Sequence, residues 1–333
     1  MNTAVASVGK KKTRITQSLV LIVIIVAICV ITSIVNPRFL RVQNIINIFQ
    51  QISILGIVAC GIGMLLVAGQ IDISVGSQIS FMGVIIAMII EKLVGKPVPG
   101  VQAWQAALSI PMAVAATLIM GFLMGLINGL VVIKSRAASF IITLGFMTVY
   151  HGAALLSSGG YGYSLYGHFE LLGRGRIAGI VPIPILFFLG VVLITFVVLK
   201  YFRYGRFLYA IGGNRKAAYV SGINTNRTTL IAYVVVGMCS ALAALILISR
   251  VGAATATTGD AYSLDALAAV IVGGVALSGG RGNALNVFLG VMLIGLISNA
   301  LIIMTIDPYM RDVIIGLIII IAVTIAQYTS ERE

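Results

Sequence analysis

Acidic side chains are almost missing from this chain: Asp and Glu together number 9 in 333 residues, against 22 Lys and Arg. Charged residues of both signs make up 9% of the sequence, where soluble domains carry about 25%. So few charges cannot clothe a water-facing surface, and a soluble domain is excluded. Cysteine is scarce as well. Cys29, Cys60 and Cys239 lie in apolar runs, are odd in number and lack ligand spacing, so they read as small core residues and not as disulfides or a metal site. Histidine is limited to His151 and His168, without a partner at metal spacing; His151 reads as a satisfied core or interface side chain. No G-x-x-x-x-G-K-[ST] stretch occurs, so the chain does not hold ATP by that device, and Gly280-Arg281-Gly282 lacks the third glycine of a dinucleotide fingerprint. No nucleophile, base and orienting group stand together, so the chain does not read as an enzyme. The basic residues sit in short loops without interleaved aromatics, which argues against nucleic acid.

What fills the chain instead is apolar: 60% of its residues are hydrophobic. Runs of spanning or near-spanning length fall at 15–36, 44–68, 73–90, 106–133, 137–157, 183–199, 229–249, 264–278, 284–306 and 313–328. The fold class is therefore an all-α polytopic membrane protein of about ten helices. The third, sixth and eighth runs are short, as broken or partly inserted helices would be. Lys10, Lys11, Lys12 and Arg14 precede the first run, which is too long for a signal peptide and has no Ala-x-Ala site after it; a retained helix is expected. With the N-terminus inside, the basic tail 1–14 and the loop 200–229 place most Lys and Arg on the cytoplasmic side, and the C-terminal tail 329–333 falls there too. Residues 15–328 form one membrane domain.

Two segments resemble each other. Gly121–Ile133 reads GFLMGLINGLVVI and Gly290–Ile303 reads GVMLIGLISNALII. In this topology they run in opposite directions, as inverted halves of a transporter do. The same fold-over pairs Ile71-Asp72 with Leu264-Asp265. Gly121, Gly125 and Gly129 form a stripe at which helix backbones can approach, within the chain or against a second copy.

The candidate functional residues are polar groups in apolar surroundings. Asp72 lies in Gly69–Ser80, GQIDISVGSQIS, with Gln70, Ser74 and Ser77. A carboxylate at membrane depth is costly, so it either lines a solute path or caps a broken helix. Asp265 opens an apolar run and reads either as a cap or as part of the same path. Asn128 and Asn299 contact a hydroxylated solute or bond across helices. The other candidate is Tyr204–Ile223, YGRFLYAIGGNRKAAYVSGI, which reads as a short water-exposed helix between glycine breaks. Gly212 and Gly213 precede it, Asn214 caps it, Arg215, Lys216, Ala217, Ala218 and Ser221 belong to it, and Gly222 ends it. A small basic helix in an otherwise membranous chain is something for a soluble partner to push on. A proton- or sodium-driven transporter with Asp72 as its coupling site is the alternative.

These segments resemble the permease subunits of ribose-type ABC importers. The resemblance rests on Gln70-Ile71-Asp72-Ile73-Ser74-Val75-Gly76, on Ala210–Asn214 with Ala217-Ala218 and Ser221–Ile223, on Leu264–Ile271 and on Leu277–Gly282, in the same order as in the family. Gln70 departs from the family's glycine, and Asn286 from another. The resemblance implies about ten helices in inverted halves, type II importer-like, in a bacterial cytoplasmic membrane. It implies a second permease chain, a cytoplasmic ABC ATPase that binds ATP and Mg, and an external sugar-binding protein, with no cofactor on this chain. The helix at Asn214–Ser221 would be the coupling helix, and the solute a ribose-like pentose or related sugar.

Overall fold

The computed structural model describes residues 17–94 and 103–330. The tail expected over 1–14 and residues 331–333 lie outside the described residues. The helices are α1 (Gln17–Val35), α2 (Val42–Val67), α3 (Val75–Val94), α4 (Ala103–Ser135), α5 (Ser139–Ser158), α6 (Leu171–Arg174), α7 (Ile183–Tyr201), α8 (Arg203–Gly213), α9 (Arg215–Val220), α10 (Thr225–Val251), α11 (Ala261–Gly273), α12 (Ala284–Ile303) and α13 (Pro308–Ser330). Each of the ten apolar runs forms a helix, and among the described residues 8 helices are long and apolar enough to cross a membrane. The sixth run is an unbroken 19-residue helix, α7, and not a short one. The eighth, α11, has 13 residues. Short strands β1 (Tyr163–Ser164) and β4 (Ala253–Ala254) pair antiparallel, and β2 (Arg176–Ile177) pairs with β3 (Val181–Pro182).

α2 and α10 form the centre. Both are apolar around most of their circumference, and such helices belong inside a bundle. α4 runs antiparallel to α10, and its glycine stripe lies on that contact. A Cβ at Gly121 would stand 2.5 Å from the Gly237 carbonyl oxygen, and one at Gly125 the same distance from that of Tyr233. The stripe thus packs within the chain. α1, α5 and α7 sit at the periphery and leave many apolar side chains uncovered by the rest of the chain.

The two halves are inverted. α2 ends with Gly69 at φ +70°, and α10 ends with Gly252 at φ +77°, left-handed turns that glycine takes without strain. An irregular segment follows each, and then α3 or α11 begins. Gly76 and Gly259 meet backbone to backbone there: a Cβ on Gly76 would lie 2.7 Å from the Gly259 oxygen, and one on Gly259 would lie 2.5 Å from the Gly76 oxygen. Around this point the halves exchange hydrogen bonds reciprocally. Gly259 N donates to Ser80 Oγ at 2.9 Å, and Gly76 N donates to Ser263 Oγ at 2.8 Å. One register carries Gly69 onto Gly252, Gly76 onto Gly259 and Ser80 onto Ser263. That register corrects the pairing of Asp72 with Asp265: Asp72 falls on Thr255, and Asp265 sits within α11.

Two glycines with unequal surroundings test this packing. Gly121→Ala forces a methyl against the α10 backbone and should lower the stability of the detergent-purified protein by about 1–3 kcal/mol. Gly145→Ala on α5 has open space at its Cβ and should leave the unfolding midpoint unchanged or raised.

Candidate functional site

The irregular stretch between α2 and α3 must satisfy its own backbone, because no water reaches a packed membrane interior. Three helices supply the partners. Ile71 N donates to Ser139 Oγ at 3.1 Å, and Ile73 N to Thr143 Oγ1 at 3.3 Å, both on α5. Tyr233 of α10 donates its hydroxyl to the Ile71 oxygen at 3.2 Å, and Ser263 of α11 donates to the Ile73 oxygen at 2.7 Å.

Asp72 is 2% exposed at the centre of this arrangement. Its Oδ1 accepts from Ser74 N at 2.9 Å and Ser74 Oγ at 2.6 Å, which caps the start of α3. Its Oδ2 accepts from Asn128 Nδ2 at 3.1 Å and from Gln78 Nε2 at 3.4 Å. Asn128 is held in turn by Tyr150, whose hydroxyl donates to Asn128 Oδ1 at 2.7 Å. Of the two roles open to Asp72, the geometry displays the cap: every acceptor contact is filled by protein. Ser74 and Asn128 belong to the same network. Ser77 is buried on the first turn of α3, and the Gln70 side chain donates to the neighbouring Gly69 oxygen at 3.1 Å.

The other candidates lie elsewhere. Asp265 does not cap α11, whose first residue is Ala261; it accepts from Arg311 Nη2 of α13 at 3.0 Å. That ion pair walls a cavity of about 150 Å³ together with Gln51, Leu55, Tyr262 and Ser298. Asn299 exchanges amide hydrogen bonds with Asn44 of α2, both at 3.0 Å, so it bonds across helices. His151 does not lie in the core of the chain. It stands half-exposed on α5 with Nδ1 3.9 Å from Asp260 Oδ2. Gln78, Tyr150, Arg311 and Asn44 were not singled out from the sequence, because a polar residue in an apolar run does not name its partner on another helix.

At the far end of α2 from its start lies the exposed helix. Asn214 caps α9, its side chain accepting from Ala217 N at 3.0 Å, and Gly222 takes φ +84° just past its end. Gly213, Arg215, Lys216, Ala217, Ser221 and Gly222 are exposed, and Ala218 alone of this helix is buried. Tyr219 and Val220 were missed; they are 70% and 81% exposed and give the helix an apolar tip. The expected glycine break before it is corrected as well. Gly212 and Gly213 continue α8, and the break falls at Asn214. Gly212 has a different role: its α-carbon packs directly against the Val67 oxygen at the end of α2 and the Gly280 nitrogen of the loop after α11. That nitrogen donates to the Val67 oxygen at 2.8 Å, and Tyr209 of α8 donates to the Gly282 oxygen at 2.6 Å. α8 and α9 are therefore attached, through glycine backbones, to the same end of both halves.

Residues 44–323 match the protein family described as branched-chain amino acid transport system / permease component. The chain belongs to this family. The permease is 34% identical over 322 residues to the ribose import permease protein RbsC of Haemophilus influenzae, covering 95% of this chain and 94% of the relative. It is 37% identical over 297 residues to RbsC of Bacillus subtilis, covering 88% of each. It is 33% identical over 313 residues to the galactose/methyl galactoside import permease protein MglC of Escherichia coli, covering 90% of each. No solved structure matches it. The resemblance carried by the Asp72, Asn214 and Leu277 segments is borne out.

Asp72→Asn replaces an acceptor oxygen by an amide that faces only donors. The permease should lose about 1–3 kcal/mol of stability, read as a lower unfolding midpoint in detergent. An unchanged midpoint would mean that the cap is dispensable.

Proposed function

We propose that the permease imports a monosaccharide, a ribose-like pentose or a related sugar, under the drive of a separate ABC ATPase. The ATPase binds ATP and Mg and grips α9. Two permease chains, two ATPase domains and an external sugar-binding protein make up the working assembly. The permease lies in a bacterial cytoplasmic membrane with both ends and α9 inside.

One observation carries this reading. α9 is a capped, exposed helix whose Lys216 and apolar tip have no partner among the described residues, while Arg215 donates to Asn226 Oδ1 at 3.1 Å, and α8 ties it to both halves at their shared end. A small displacement of α9 is passed by the Gly212 contact to the end of α2 and to the loop after α11. Backbone packed on backbone transmits such a shift without a flexible side chain to absorb it. The names of the relatives, two ribose permeases and one galactose permease, support the substrate class. The ion-driven alternative loses ground, since Asp72 has no free lone pair facing a path.

Uptake of D-ribose by vesicles holding the assembled importer should need internal ATP and be indifferent to proton or sodium gradients. A cysteine placed at Lys216 should cross-link to the ATPase; absence of that adduct would overturn the coupling role of α9. Gly212→Ala should leave assembly intact and cut uptake by about tenfold or more, whereas Gly213→Ala, whose Cβ meets nothing within 4 Å, should transport normally.

A further inference from the structure

Asp72, Asn128 and Asn299 are engaged by other side chains of the protein, whereas one polar pair at membrane depth is left more open. Asp260 immediately precedes α11, and 42% of its side chain is exposed; His151 faces it from α5 with 37% exposed. Asp260 Oδ1 accepts from Ser80 Oγ at 3.2 Å, and among the described residues Oδ2 has only the imidazole, at 3.9 Å.

The depth of the pair follows from helix geometry. The Cβ position of Gly83 on α3 touches Ile248 near the end of α10, and Gly76 touches Gly259. From residue 83 to residue 76 the α3 axis moves roughly 10 Å away from that end, at 1.5 Å per residue. α10 itself has 27 residues, about 40 Å, so Asp260 lies beside its middle. His151 is well inside the span of α5. An aspartate at the centre of a bilayer costs about 2.5–3.5 kcal/mol even on the most lenient scale, so such residues face water or a polar partner and not lipid.

We infer that His151 and Asp260 form a solute contact at the mid-depth of the translocation path, recognising a sugar hydroxyl. The chemistry fits a polyol. The free carboxylate oxygen accepts a hydroxyl proton, and a neutral imidazole offers one donor and one acceptor to a vicinal hydroxyl. Ser80 holds the carboxylate while its own oxygen accepts the Gly259 amide. The reciprocal crossing of the two halves thus positions the pair, and any shift of α11 against α3 moves Asp260 relative to His151. This inference rests on the sugar-import reading but locates the solute away from Asp72.

Two measurements test it in the complete importer in liposomes. With D-ribose as the probe, Asp260→Asn and His151→Leu should each lower uptake by about tenfold, the size of a lost hydrogen bond to a charged group, while ATPase activity and assembly hold. Unchanged uptake in both variants overturns the inference. Independently of any sugar, cysteine at position 151 or 260 should react with a membrane-impermeant thiol reagent above the wild-type background. Leu193→Cys, on the exposed apolar face of α7, sets the level for a lipid-facing site. Reaction no faster than at that control overturns the inference. If the wild-type importer moves neither D-ribose nor D-galactose, the sugar reading fails, and the thiol reaction still decides whether the pair faces water.

Discussion

A helix that breaks inside a membrane must send its freed amides and carbonyls to its own protein, and this requirement governs the centre of the permease. α3 and α11 both start in mid-bundle. Each uses a serine one turn into its own helix to receive the amide of the other's leading glycine. A larger residue at Gly76 or Gly259 would drive the two backbones apart and break both hydrogen bonds together. Side chains on α5 and α10 take up the Ile71 amide and carbonyl and the Ile73 amide. The crossing is therefore one cooperative unit, and the inverted arrangement of the outer helices is built around it.

The α8–α9 end follows a related logic. There, too, glycine backbones meet without intervening side chains, so that α8, the end of α2 and the loop before α12 share one contact. The central crossing and this junction are two of the places where both halves touch. A lever attached at the second can act on the first through α2 and α11, which connect them.

The ten helices, the break at Asp72, the cap at Asn214 and the family were all legible in the sequence, because apolar runs, isolated carboxylates and capping residues are local signals. What was not legible depends on which helix lies beside which. The partner of Asp265 is Arg311, 46 positions away, and a carboxylate before an apolar run looks like a cap until the helix start is known. Gly212 read as a break because glycine signals either a turn or a close approach, and only the neighbour distinguishes them. The repeat was found in the Gly121 and Gly290 segments, but its register there differs from that at the crossing; the Gly-x-x-x-Ser shared by residues 76–80 and 259–263 was the stronger signal. His151 was judged by its isolation along the chain, which says nothing about Asp260 facing it.

The halves have kept their shape and lost their chemical equality. Where the first has Asp72 clamped by Ser74, Gln78 and Asn128, the second has Thr255, Thr257 and Thr258, whose hydroxyls bond only among themselves and to the local backbone. The Asp72 clamp is buried, whereas Thr255 and Thr257 are exposed. The duplicated scaffold thus carries a buried polar clamp in one arm and a hydroxyl cluster at the surface in the other, so the two arms do not offer the same chemistry at the same place in the fold.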